Sequence, residues 1–572
     1  MRLLFGSAFA AAALFAGATA AAAQPPIEYR VTPEVGAGGL QSLKVELSFR
    51  GDLDGKTRVF LPDSWSGATE LHRALSDIRV EGASVARPDA AALDLSHLPR
   101  APITMTYRVR QDFAGAPAAG AGRPFRPATQ PGWFTAVGWT VFADVAGRQA
   151  QPVSFSWGPV PNGWSVASDL DHQPREARRT GDLLDSVLVG GRGLQVVERQ
   201  TAGGRMRIAV HGDSWKFERQ KLGDLLGRIA DVSADFWGDR GEEFFVAMTP
   251  LEAPQGGSVQ YGLGLGDAFT LWATPEADEA SLRHILAHEH QHTWFPSRLG
   301  GVRTGPDEPL DYWFSEGFTD FYTLRLLLRS GVWSLEEFSA DFNRILKRYA
   351  SSPARELPNA EIARAFWSDG EVADLPYRRG LLLAALWDDR LRRETGGAAD
   401  LDDVVRRMSA EASGQPTRGD APRKLKTAYK ALGGGDLSAD YARFVDGGGQ
   451  VLLPTDLFGS CASVVTHEQP AFERGFDVAA TSAGDGVVAG VDPEGPAYAA
   501  GLRNGMRILQ REGGDNADSS VLLAYRVLDA GQEKLISYKP QGRARLQLQE
   551  IVLTPGMTAQ QRSECARKMS GS

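Results

Sequence analysis

The histidines of this chain are crowded into one short segment, since four of the nine lie between residues 284 and 292. Leu282 and Leu286 recur there one helical turn apart, so we predict a partly buried helix from about Glu279 to Trp294 that Pro296 stops. Polar imidazoles on a buried helix face need partners. The crowding therefore indicates a ligand site.

Two of these histidines have the spacing of metal ligands. His288 and His292 are four residues apart, so both imidazoles project from one face of the predicted helix and can bind one tetrahedral Zn²⁺. Hydrolytic zinc normally has three protein ligands and an open position. The third ligand must come from another segment, and we expect a single zinc ion as the cofactor.

The segment that begins at Trp313 offers that third ligand. Glu316 and Asp320 are four apart and share a face of a second predicted helix. We predict that Glu316 binds zinc and that Asp320 accepts the outer N–H of a ligating histidine. Glu289, next to His288, would reach the water that attacks the substrate and act as general base.

Other arrangements of the same residues are less consistent with the sequence. A three-histidine motif would need glycine at 295 and histidine at 298, where the chain has Phe295 and Arg298. His284 lies one turn before His288 and could be a ligand, although a hydrogen-bonded structural imidazole is the preferred interpretation. His290 points to another face and is interpreted as structural.

The chain divides into four parts by pattern. An apolar, Ala-rich run with an A-x-A site predicts a signal peptide over 1–23, and short alternating runs predict an N-terminal β-sandwich over 24–212. Helical periodicity then dominates 213–455, and strands return over 460–572. We predict a multidomain α+β protein, with helices in the second part at about 215–238, 279–294, 310–329, 335–349, 377–394 and 401–413.

Charge and hydropathy limit the partners. Lys plus Arg total 62 against 71 for Asp plus Glu, a net charge of -9, so no excess of basic residues favours nucleic-acid binding. After the signal peptide no run is long and apolar enough to span a membrane. We therefore expect a periplasmic or secreted protein without a membrane span.

These motifs together resemble the glycyl aminopeptidase family of zinc metallopeptidases, whose members carry H-E-x-x-H, a W-F-x-E-G-F-T-D-type second helix and a C-terminal PDZ domain. The resemblance implies a thermolysin-like, mostly helical catalytic domain with zinc on His288, His292 and Glu316, and peptide or protein substrates. It also supports Tyr377 as a catalytic residue that stabilises the oxyanion, for which Arg379 is a weaker candidate.

The last part of the chain resembles a PDZ domain through Gly495-Pro496-Ala497 and Ala500-Gly501-Leu502. Gly475 and Phe476 would lie in its ligand loop, where backbone N–H groups can hold the carboxylate of a C-terminal peptide. Cys461 and Cys565, the only two cysteines, flank this module. In an exported protein we expect them to form a disulfide.

Two alternatives remain open at the level of sequence. The first is a non-catalytic periplasmic peptide-binding protein on the same scaffold. The second concerns specificity: relatives often carry an acidic residue for the substrate's amine after the glycines of the edge strand, where this chain reads Gly256 to Gly262 without one. An endopeptidase is therefore the alternative to an aminopeptidase.

Overall fold

The computed structural model describes residues 25–118, 125–171, 178–240, 243–252, 258–303, 305–412, 419–515 and 518–571. The predicted signal peptide, 1–23, lies outside these residues. Among the helices that are described, none is long and apolar enough to cross a membrane.

The N-terminal part consists of short strands, as the alternating apolar pattern predicts. They are β1 (Ile27–Gly36), β2 (Gly39–Arg50), β3 (Lys56–Phe60), β4 (Leu75–Glu81), β5 (Ser84–Asp89), β6 (Ala92–Ser96), β7 (Pro102–Val109), β8 (Ala128–Gln130), β9 (Trp133–Val137), β10 (Asp144–Val145), β11 (Val153–Trp157), β12 (Ser165–Ser168) and β13 (Val187–Gly191), with helix α1 (Thr180–Leu184) before the last. Three-residue or four-residue 3₁₀ turns lie at Leu71–Ala74, Gly138–Thr140 and Asp169–Asp171.

These strands form three sheets. Their orders are β11-β1-β2-β7-β4, β10-β3-β6-β5 and β12-β13-β9-β8. The inward side chains of the first two, such as Val45 and Leu93, belong to one hydrophobic core. Every second residue of β7 is buried, because side chains alternate between the two faces of a strand.

The second part is built on a five-stranded sheet. Its strands are β14 (Gln195–Gln200), β15 (Arg205–Val210), β16 (Phe244–Pro250), β17 (Gln260–Leu265) and β18 (Ala268–Ala273), in the order β14-β15-β16-β18-β17. The boundary was predicted at 212, but β14 and β15 pair within this five-stranded sheet, so the second part begins near residue 195. Alternating strands of two neighbouring sheets look alike in sequence.

The helices of the second part cover this sheet and one another. They are α2 (Arg219–Trp237), α3 (Glu279–Gln291), α4 (Tyr312–Ser315), α5 (Gly317–Arg329), α6 (Leu335–Ser351), α7 (Asn359–Ala365), α8 (Gly370–Ala373), α9 (Leu375–Glu394), α10 (Leu401–Glu411), α11 (Ala421–Ala431) and α12 (Ser438–Asp440), followed by a π-helical turn, Tyr441–Asp446. Two 3₁₀ segments, Ser297–Leu299 and Gly305–Asp311, follow α3.

The helix predicted over 310–329 is in fact interrupted at Glu316. Pro309 lies in the 3₁₀ segment before α4, and α4 ends at Ser315. The chain stays hydrogen-bonded through the interruption, since the Glu316 N–H donates to the Tyr312 carbonyl and the Asp320 N–H donates to the Glu316 carbonyl. The interruption therefore leaves the i to i−4 hydrogen bonds on both sides of Glu316 in place.

The C-terminal part comprises β19 (Ala462–Phe472), α13 (Val478–Ala483), α14 (Pro496–Ala499), β20 (Arg507–Gly513), β21 (Leu523–Asp529), β22 (Gln532–Tyr538), β23 (Gln541–Leu553) and α15 (Ala559–Ser570). A small core of its own lies within 472–538. The two-stranded ribbon of β19 and β23 and helix α15 contribute instead to the catalytic core, through Val464, Ile551 and Met569. The predicted domain over 460–572 is thus a smaller module, about 473–540, inserted between two segments of the catalytic domain.

The predicted disulfide is present. It joins Cys461, at the start of the ribbon, to Cys565 on α15, across a sequence separation of 104 residues. Both residues pack in the catalytic core. The bond therefore ties the two ends of the C-terminal segment to the body of the catalytic domain.

Candidate metal centre and catalytic site

Helix α3 holds the histidines because both of its ends are specified locally. Asp278 caps the N-terminus by accepting the Ser281 N–H at 2.9 Å, while Leu282 and Leu286 are fully buried on the core side. The helix ends at Gln291, three residues before the predicted end, and His292 is its C-cap. The side chains of His288 and His292 nevertheless lie on the same face, as their spacing predicts.

Hydrogen bonds fix the tautomers of both imidazoles. His288 Nδ1–H donates to Asp320 Oδ1 at 2.8 Å, and His292 Nδ1–H donates to the Phe295 carbonyl at 2.9 Å. A neutral imidazole with hydrogen on Nδ1 carries its lone pair on Nε2. Both lone pairs are thereby directed to the same place, because the two Nε2 atoms are 3.1 Å apart.

Glu316 completes a triangle of ligand atoms. Its Oε2 lies 3.3 Å from His288 Nε2 and 3.4 Å from His292 Nε2. In a tetrahedral site with zinc–ligand distances of 2.0 to 2.1 Å, two ligand atoms are separated by roughly 3.3 Å. The three atoms have the spacing of three corners of such a tetrahedron, and the donor set of two imidazoles and a carboxylate is typical of catalytic zinc.

The carboxylates around this triangle of ligand atoms also favour a positive charge at its centre. Burial lowers the pKa of His288, but the carboxylates of Asp320 and Glu316 outweigh it, and the pKa rises well above its usual range. Burial would raise the pKa of Glu316, but the two histidines hold it well below its usual range. Without a metal the carboxylates therefore favour a proton on the imidazoles, and a zinc ion bound at the triangle would take the place of that positive charge.

Glu289 lies beside this triangle rather than in it. Its carboxylate is within 4.8 Å of ligand atoms on both histidines, yet among the described carboxylates only Glu316 forms ion pairs with both imidazoles. Burial raises the pKa of Glu289 above its usual value. A nearby carboxyl with this shift is suited to proton transfer rather than to binding the metal.

Two glycines of β17 let this strand approach the metal helix. A Cβ on Gly262 would lie 2.1 Å from Glu289 Oε1, and one on Gly264 would lie 2.3 Å from His292 Cβ. No side chain other than hydrogen fits between strand and helix here. The sequence comparison considered this strand only for an acidic residue and did not predict this role, although glycine at every second position from 262 to 266 was the available signal. Residues 256 and 257 lie outside the described part of the chain.

A second close approach brings Tyr377 to the site. A Cβ on Gly317 would lie 2.4 Å from the Cα of Gly380, so α5 and α9 cross in backbone contact. Tyr377, one turn before Gly380 on α9, has its ring centroid 6.0 Å from that of His288. The glycine crossing thus places a half-buried phenol next to the metal ligands.

The other singled-out residues lie away from the reacting groups. Arg379 is buried and donates to the carbonyls of Arg355 and Leu357, so its candidacy as an oxyanion donor is withdrawn. His284 Nε2 lies 3.5 Å from Asp320 Oδ1. His290 packs between Phe244 and Trp294, and burial lowers its pKa to about 4.

Some groups of the predicted PDZ ligand loop are bonded within the module. The Gly475 carbonyl accepts from Asp492, and the Asp477 N–H donates to Ala489. The Phe476 ring packs on Tyr525, 5.8 Å between centroids. The chain then continues as helix α13 rather than as the strand that a bound peptide would extend.

Replacing Asp320 by asparagine is expected to weaken zinc binding by about 10- to 100-fold, because the charge that orients His288 and raises its basicity is lost. Competition with a coloured chelator measures the affinity. Asp389→Asn is the matched control, since Asp389 is similarly buried (side chain 12% exposed against 13%) but pairs with Arg393. Equal affinities for the two variants would contradict the role of Asp320.

The geometry defines a class: a helical zinc-peptidase fold in which H-E-x-x-H and a glutamate from the next long helix surround one metal position. Residues 281–374 match the family model described as M61 glycyl aminopeptidase. The match includes the zinc triangle and Glu289, and it confirms the predicted resemblance to glycyl aminopeptidases. The chain is an aminopeptidase-like zinc metallopeptidase.

A solved structure shares the fold. The aminopeptidase N family protein from Idiomarina loihiensis superposes with a TM-score of 0.68 at 16% identity, over 95% of this chain and 99% of that one. An M1 zinc metallopeptidase from Deinococcus radiodurans has a TM-score of 0.47 at 18% identity, over 76% of this chain and 96% of that one. No curated protein matches the sequence significantly. The architecture is thus a multidomain one, similar to aminopeptidase N-like folds.

Proposed function

We propose that this protein is an exported peptidase that hydrolyses peptide bonds with one zinc ion on His288, His292 and Glu316 and with Glu289 as general base. The observation that carries the proposal is the triangle of ligand atoms, 3.1 to 3.4 Å on a side, with a buried carboxyl beside it. Zinc bound there would polarise the scissile carbonyl and lower the pKa of a coordinated water.

Residues of the chain carry out proton transfer, oxyanion stabilisation and substrate binding. Glu289 accepts the proton of the attacking water and returns it to the departing amine. Tyr377 donates its hydroxyl hydrogen to the oxyanion that develops on the carbonyl. Strand β17 is the last in its sheet, so its outer backbone groups can pair with an extended substrate next to Glu289.

Export is part of the proposal. It is supported by the signal-peptide pattern over 1–23 and by the disulfide between Cys461 and Cys565, because disulfides persist in oxidising compartments. Detection of a mature chain beginning near Gln24 in the periplasmic or extracellular fraction would agree with it. A chain that retains residues 1–23 in the cytoplasm would contradict it.

We further propose that the N-terminal sheets form a β-sandwich and that the module at about 473–540 has a PDZ-like fold that recruits peptides. The shared core of the first two sheets supports the sandwich, and the separate small core of the module supports an independent fold. Gly475 and Phe476 stay the proposed ligand loop, and the outer edge of β22, the last strand of its sheet, is a second place at which a peptide can pair.

A peptide library tests the activity. The full chain is stripped with a chelator, then assayed before and after one equivalent of zinc is restored, and the products are read by mass spectrometry. We expect cleavage only with zinc, with the ends of the products distinguishing removal of terminal residues from internal cuts. Zinc binding without cleavage of any peptide would instead favour the alternative, a peptide-binding protein on a peptidase scaffold.

A further inference from the structure

A loop of the N-terminal domain reaches the helical side of the catalytic domain. Gly67 lies in a tight turn in which Trp65 and Ala68 exchange both backbone hydrogen bonds, and it has φ +81°. A Cβ on Gly67 would lie 2.5 Å from Cε3 of Trp367, which follows α7. The turn therefore rests on the Trp367 indole, and we call the three residues Trp65, Gly67 and Trp367 the clasp.

On one side the clasp is anchored next to the metal ligands. The Trp367 ring lies 6.3 Å from that of Tyr312, and Phe366 lies 4.7 Å from the same tyrosine. The Tyr312 carbonyl accepts the N–H of Glu316. Tyr312 is buried whereas Trp367 is 39% exposed, so the indole projects from a fixed base beside the third zinc ligand.

On the other side the clasp is anchored behind strand β17. Trp65 stacks on Trp139, with ring planes 9° apart, and meets Phe125 edge-on at 6.3 Å. Phe125 meets Trp272 at 5.8 Å, and Trp272 is paired with Tyr261 of β17. Trp65 is thus joined through aromatic contacts to the strand that lies against Glu289.

These contacts close a circuit around the catalytic groups. From β17 it passes through Glu289 and the zinc triangle to Tyr312, then through Trp367 and Gly67 back to β17. Glu316, Tyr377, Trp65 and Tyr261, all around this circuit, are half-buried rather than fully enclosed in a core. We call this circuit the rim of the metal site.

We infer that the clasp determines substrate length, by bridging the cleft on one side of the scissile bond. This inference rests on the proposed function. An extended peptide along β17 advances about 3.3 Å per residue, so a few residues beyond the cut bond suffice to reach an obstacle at the rim. A chain extended on that side meets the Trp367 indole, whereas an extension on the opposite side does not.

The contact across the rim is slight compared with its anchors. A glycine on one indole face buries little area, whereas each side is fixed by several packed aromatic rings. Removing the indole should therefore open the rim without unfolding either domain. The side chain of Trp367 is then a specificity-determining group and not a catalytic one, because its ring packs on Tyr312, Phe366 and Gly67.

The test compares peptides that share one cleavable tetrapeptide and are lengthened by glycine and serine at either end. For the zinc-loaded full chain we expect kcat/KM to fall by at least about tenfold on lengthening one end only. Trp367→Ala and Gly67→Val should largely remove that difference, while Trp367→Phe keeps it. Gly163→Val is the matched control, because Gly163 has a similar φ, +76° against +81° for Gly67, with nothing within 4 Å of its Cβ position.

The outcomes separate the two proposals. Wild-type cleavage that is independent of length at both ends, or an end preference unchanged in Trp367→Ala and Gly67→Val, would overturn the clasp and leave the peptidase intact. No cleavage of any peptide by the wild type would overturn the proposed function and the clasp with it. If Trp367→Ala and Gly67→Val have the same melting temperature as the Gly163→Val control, unfolding is excluded as the cause of a changed end preference.

Discussion

Replacing Glu289 by glutamine is expected to lower kcat/KM for peptide hydrolysis by about 10²- to 10⁴-fold while zinc stays bound. Glutamine has nearly the same shape as glutamate but cannot take the proton from the attacking water. A side chain larger than glutamine would not fit at this position, since Gly262 lies directly against the carboxylate. The loss is therefore chemical rather than a result of repacking.

The measurement pairs steady-state kinetics with metal content. Glu279→Gln is the matched control, because Glu279 lies in the first turn of the same helix α3 and forms an ion pair with Arg283. Activity of Glu289→Gln close to that of Glu279→Gln would show that another group is the base. Loss of zinc from Glu289→Gln would show instead that Glu289 is a ligand.

Replacing Glu316 by alanine is expected to remove the metal and the activity together, in contrast to Glu289→Gln, which should lose activity but keep zinc. The two imidazoles keep their hydrogen bonds to Asp320 and Phe295, but one of the three ligand atoms disappears. The fall in zinc affinity should exceed the roughly 10- to 100-fold that loss of an outer hydrogen-bond partner costs. High zinc concentration should restore activity only in part.

Zinc titration followed by calorimetry checks this, with Glu361→Ala, an exposed acid on α7, as the control. The thermal stability of the zinc-free forms is a second readout. Without the metal, the negative charge of Glu316 raises the pKa of both buried histidines, so its removal leaves them less able to hold a proton. Wild-type zinc affinity in Glu316→Ala would exclude Glu316 from the ligand set.

Much of the metal centre was predictable because its information is local. His288 and His292 share a face through helical periodicity alone, and Glu316 and Asp320 do the same on the second helix. That Glu316 belongs with the histidines required only the chemistry of zinc, which needs a third ligand. The disulfide followed from there being two cysteines and a signal-peptide pattern.

The errors arose where the information is not local. The boundary near residue 195 and the insertion of the module at 473–540 depend on which sheet or core a strand joins, and alternation does not encode that choice. Arg379 and Tyr377 are two residues apart on one helix. Only the packing of α9 shows that the first turns into the protein toward the Leu357 carbonyl and the second toward His288.

The sequence by itself therefore determined the chemistry at residues 284 to 320, since helical spacing and ligand type are properties of short segments. The tertiary structure alone decided how that chemistry is surrounded. Gly262 against Glu289, Gly317 against Gly380, and Gly67 against Trp367 are contacts between segments far apart in the chain. Each contact is possible because glycine has no side chain. The sequence does not show which segment comes to lie against that glycine, and only the folded structure does.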